Sequence, residues 1–149
     1  MDDRAQRLNN ELVKIQKDID QAADTSRTIV RRMAETLERN YDEQIVLKNK
    51  TDYEIIATFF GNDVLIKAEV PLFEATFTGL ISCYLKQDNK DIPWAKLNAA
   101  LTFDKLCNVN EQYDAYEVTH ILMKLILDEL KKKSVAVKFP NENDIRIVS

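Results

Sequence analysis

A chain of 149 residues with 45% hydrophobic and 31% charged residues has enough apolar surface to build one core, which excludes an intrinsically disordered protein. Its formal net charge of −4 argues against sequence-independent nucleic-acid binding, because that rests on neutralising phosphates with Lys and Arg. With two glycines in all and no GxxxxGKS/T or GxGxxG pattern, no loop can wrap its backbone around a phosphate, and P-loop nucleotide hydrolysis is excluded.

The first predicted element runs from about Asp3 to Asn40, free of glycine before Gly61 and of proline before Pro71. Asp2 or Asp3 can cap its first turn. Leu8, Leu12, Ile15, Ile19, Ala22, Ser26, Ile29 and Met33 follow at alternating spacings of four and three, the period that keeps one stripe facing a partner helix. Val30 and Leu37 widen the stripe in the second half, so that half is expected to pack on the chain's own globular part while the first half meets another helix. Ala22-Ala23-Asp24-Thr25-Ser26 is a weak spot where two shorter helices could join, yet the unbroken phase favours one continuous helix. Few complementary charges flank the seam, Gln16 and Asp18 among them, which leaves partner orientation open.

From Tyr41 the period changes to that of strands. Ile45–Lys48, Tyr53–Phe60, Val64–Val70 and Ala75–Lys86 read as an antiparallel meander. Phe60-Gly61-Asn62-Asp63 is its clearest turn. Pro71 ends a strand, and Gly79 marks a bulge or bend. Asp91–Leu106 carries both helical and alternating patterns and is read as a fifth strand ending near Phe103. Asn110–Lys133 is a helix with one polar stripe, Glu117, His120, Lys124, Asp128 and Lys131, on an otherwise apolar cylinder, the pattern of an element buried on more than one side. Val135–Phe139 and Asp144–Val148 flank Pro140-Asn141-Glu142-Asn143 as a terminal hairpin. The expected fold is therefore α+β: a long N-terminal coiled-coil-like helix, an antiparallel β-meander of four or five strands, a buried C-terminal helix and a terminal β-hairpin. Residues 1–40 form the association segment and 41–149 the globular domain.

Chemistry has little to work with. His120 is the only histidine and lies in the polar stripe, where it reads as a solvated surface residue. Cys83 and Cys107 form no CxxC pair and read as small apolar residues in a reducing compartment. The start of the chain lacks the apolar core of a signal peptide and no apolar run approaches the length of a membrane span, which points to the cytoplasm. Neither catalytic, cofactor nor metal-binding residues are assigned, and no cofactor is expected.

The candidate self-association residues are Leu8, Leu12, Ile15, Ile19, Ala22, Ile29 and Met33. Trp94, Asp42, Glu43, Asp88 and Asp91 are candidate partner contacts, and Arg27, Arg31 and Arg32 form a weak basic patch on one helix face. The favoured reading is a non-enzymatic interaction module, an adaptor, small chaperone or assembly subunit, that pairs with itself or another protein. The first alternative is an acidic inhibitor or immunity-type protein whose loop carboxylates engage a basic enzyme. The second is a metal-dependent hydrolase using those carboxylates, which requires them to converge on one ion.

Overall fold

Asp2 caps the first helix by accepting from the Arg4 amide at 2.9 Å, and good helix formers then carry one unbroken helix, α1, from Asp3 to Asn40. At 38 residues it is about 57 Å long. The continuous alternative was the right one: Ala22–Ser26 lies within the one helix. The computed structural model describes residues 2–70, 79–104, 107–109 and 114–139.

Five strands follow, β1 Ile45–Lys50, β2 Glu54–Phe59, β3 Asn62–Glu69, β4 Gly79–Lys86 and β5 Trp94–Phe103, and then α2, Ala115–Lys132. The strands pair as an antiparallel sheet in sequence order. Phe60 and Gly61, with φ of 51° and 83°, make the two-residue turn between β2 and β3, and both signs match the turn that suits sheet twist. A Cβ on Gly61 would also collide with the Lys138 carbonyl, so the position is closed to side chains on two counts. The stretch read ambiguously, Asp91–Leu106, contains β5, whose inward residues Leu97, Ala99, Leu101 and Phe103 are all buried.

Gly79 is not the bulge. It pairs directly with Phe103, and a Cβ there would enter the Phe103 ring; the glycine clears room for an aromatic that is 1% exposed. The irregularity falls instead between Ser82 and Tyr84, opposite Ala100 and Lys96. There Asn98 turns its amide to Glu129 Oε1 of α2 at 3.2 Å, which satisfies a donor that the ladder leaves over.

One face of the sheet is covered. Alternation along β2 to β5 sends Ile55, Ala57, Phe59, Val64, Ile66, Ile81, Cys83, Leu97 and Leu101 inward, where they meet Ile29, Val30, Met33 and Leu37 of α1 and Val118, Leu122 and Ile126 of α2. The two helices lie side by side, α1 over β1 to β3 and α2 over β5, in contact with each other. α2 is therefore not sandwiched between the sheet and α1: its outer side, with Tyr116 and Ile121, stays about 40% exposed. Asp114 caps it through the amides of Tyr116 and Glu117, later than the predicted start at Asn110, and residues 110–113 lie outside the described part. Its expected polar stripe is exposed throughout.

The end of α2 closes with two bonds, Ser134 amide to Lys131 carbonyl and Val135 amide to Leu130 carbonyl, both 3.0 Å, around Ser134 at φ 52°. Val135–Phe139 then forms no strand. It is tied across the β2–β3 turn by Lys138 amide to Phe60 carbonyl at 3.0 Å and by Asn62 Nδ2 to Ala136 carbonyl at 2.9 Å. The second arm of the predicted hairpin, Asp144–Val148, and residues 75–78 of the predicted fourth strand lie outside the described residues.

Candidate functional site: the uncovered half of the N-terminal helix

Burial along α1 changes at one place. From Ala22 onward the stripe is inside the molecule, with Ala22 3%, Ile29 0% and Met33 0% exposed. Before it every described residue is exposed except the half-buried Ile15, and Leu8, Leu12 and Ile19 show 56%, 54% and 43% of their surface. Ala22, Ile29 and Met33 are thus corrected: they belong to the chain's own core, and the available surface reduces to Leu8, Leu12, Ile15 and Ile19. The exposed and core-packed parts of α1 meet near Ala22, inside the helix.

A free helix of this length is marginal in water because nucleation is costly. Here the projecting half continues the hydrogen-bond ladder of a half already held against the sheet, so only propagation is required. Its apolar side chains stay in phase with the buried stripe and find no cover within the described residues.

The basic patch is largely satisfied internally. Arg27 bonds Asp24 and donates to the Tyr53 hydroxyl at 2.9 Å, Arg31 lies 4.0 Å from Glu35, and Arg32 stacks over the Tyr116 ring at 5.7 Å. Tyr116 in turn donates to Glu35 at 3.0 Å, so the patch is mostly a seam between α1 and α2. A shallow groove of about 390 Å³ beside it mixes both signs, Arg27, Arg31 and Lys50 with Asp24 and Asp52.

The described loop carboxylates come from two connections. Asp42 and Glu43 follow α1 and Asp88 and Asp91 join β4 to β5; both connections emerge at the same end of the sheet, with β2 and β3 between them. At about 4.8 Å per strand this separates β1 from β4 by about 14 Å. Lys138 approaches Asp88 at 3.9 Å. Among the described residues, no three His, Cys, Asp or Glu side chains are placed to hold a metal ion. Trp94 is half-buried at the start of β5, opposite Lys86 on the uncovered sheet face.

That uncovered face carries two polar knots. Asp63 accepts from Lys48 Nζ at 2.8 Å and Thr58 Oγ1 at 2.7 Å. Burial raises its pKa, but these bonds and the charges of Lys48 and Lys86 bring it below the ordinary value. Tyr84 donates to Glu69 at 2.6 Å, which together with burial pushes its hydroxyl up to about 12. Cys83, on the inner face, is held protonated by burial, its thiol also pushed up to about 12, which suits packing and not nucleophilic attack.

A cleft that sequence reading missed lies where α1 ends. Tyr41 Oη and His120 Nδ1 are 2.6 Å apart, and with Phe59, Phe60, Met123 and Leu127 they line about 290 Å³ of mainly apolar space. The partners stand 79 residues apart, and neither carries a local signal. No helix among the described residues is long and apolar enough to cross a membrane. Comparison with family models, with curated proteins and with solved structures finds no match to this chain.

Proposed function

We propose that the protein is a non-enzymatic protein–protein interaction module, an adaptor, small chaperone or assembly subunit of the cytoplasm, which self-associates through the first half of α1. One observation carries the reading: a helix stripe that is core from Ala22 onward continues in phase through Ile19, Ile15, Leu12 and Leu8 with its large side chains half exposed. A contiguous apolar strip on an ordered element is what an interaction surface looks like, and the charged residues beside it keep the separated chain dispersed. The sheet domain is then the part presented to a further partner.

The test is Leu12→Asp combined with Ile19→Asp. Carboxylates on the seam should abolish self-association, while thermal unfolding stays cooperative and the midpoint moves by no more than a few degrees, since neither side chain touches the core. A double variant that stays associated would sink the proposal.

A further inference from the structure

We infer that the chain's own residues 140–149 fill the cleft beside Tyr41 and His120, with Ile145 and Ile147 as the side chains that enter it. The cleft asks for apolar cover. Ile45, Phe59, Phe60, Met123 and Leu127 line most of its 290 Å³, and no described side chain fills it. Tyr41 Oη and His120 Nδ1 already bond each other at 2.6 Å, so an occupant gains from burying hydrocarbon rather than from pairing with them.

The described chain ends at the rim of this cleft. Lys138 donates its amide to the carbonyl of Phe60, a lining residue, at 3.0 Å, and its own carbonyl stands where a Cβ on Gly61 would lie. One residue later comes the exposed Phe139. Pro140-Asn141-Glu142-Asn143 follows, turn chemistry able to send the chain back over Phe60. Asp144-Ile145-Arg146-Ile147-Val148 comes next, an alternation that sets the two isoleucines on one side. The stretch from Phe139 to Ile145 can span about 20 Å, ample for a cleft whose rim is the very residue that Lys138 bonds. Residues 135–139 form no strand, so the hairpin arm expected to cover Ile145 and Ile147 is not there to do so.

Phe60 points to the same occupant. It sits at φ 51°, a left-handed backbone that asparagine or glycine adopts more readily, and 54% of its surface is exposed. An aromatic ring held against the backbone's preference, on the lip of an apolar cleft, is placed to clamp a side chain inserted beneath it. Self-association through α1 plays no part in this closure.

Methyl NMR of the full chain, labelled at Ile, Leu and Met, reads the contact directly. Met123 and Leu127 methyls should show cross-peaks to Ile145 or Ile147, with an intensity per labelled chain that an excess of unlabelled chain leaves unchanged. Ile145→Asp with Ile147→Asp in the full chain should abolish them and shift the imidazole signals of His120, the one histidine, while the sheet amides keep their positions. Absent cross-peaks in the unaltered chain, or a His120 that ignores the double substitution, would overturn the inference. Cross-peaks that fade as labelled chain is diluted with unlabelled chain would put a second copy's residues in the cleft and overturn it as well.

Discussion

Asp63 gathers a lysine and a threonine on a sheet face that no helix covers, and its ionisation is tied to the fold. Its pKa is lower in the folded chain than its ordinary 3.8, so ionised Asp63 adds stability above that value, and the contribution disappears as pH falls through the folded pKa. Asp63→Asn should cost about 1 kcal/mol at neutral pH. The gap from wild type should shrink as pH falls below 3.8 and through the folded pKa, as urea unfolding across that range would show; a gap of constant size would mean that the carboxylate's charge plays no part. Little of this was legible beforehand. Asp63 read as a turn residue because it follows Phe60-Gly61, whereas the turn needs only those two residues, and Asn62 and Asp63 already belong to β3. Gly79 was similarly misread as a bend, since nothing local to it reports the Phe103 ring that it accommodates.

Among the elements, β5 and α2 lock each other through Glu129. It is 8% exposed, accepts the Asn98 amide at 3.2 Å and has Lys133 Nζ at 3.7 Å. Removing it strands a donor where the β4–β5 ladder is irregular. Glu129→Ala should therefore cost about 1–3 kcal/mol, with amide exchange at Asn98 accelerating before that of the neighbouring strand residues. Unchanged exchange at Asn98 would show that water replaces the carboxylate. The sequence showed α2 and the β2–β3 hairpin plainly, because apolar period and turn chemistry agree there. It left Asp91–Leu106 open because Trp94, Leu97 and Leu101 satisfy the helical spacing while Leu97, Ala99, Leu101 and Phe103 satisfy the strand. The sheet decides between them, since only the strand pairs with β4 and buries all four.

For the whole molecule, the lesson lies in α1. Its apolar phase was readable over the full length, including the packing of its second half on the chain's own globular part. The exact point of division was not, because Ala22, Ile29 and Met33 look the same in sequence whether they face a sheet or a second helix. The Tyr41–His120 contact was hidden for a related reason: it depends on where α1 ends relative to α2, which no local pattern encodes. The division now dictates where the chain can be cut. A chain beginning at Tyr41 would lose Ile29, Val30, Met33 and Leu37 from the core and is expected to unfold. One beginning at Gln21 keeps every buried residue of α1. The most direct measurement is the mass of the intact chain beside that of the 21–149 chain, by light scattering across a concentration series. The account predicts a concentration-dependent dimer for the intact chain and a monomer that still unfolds cooperatively for the shortened one. An intact chain that is monomeric throughout, or a shortened chain that still dimerises, would contradict it.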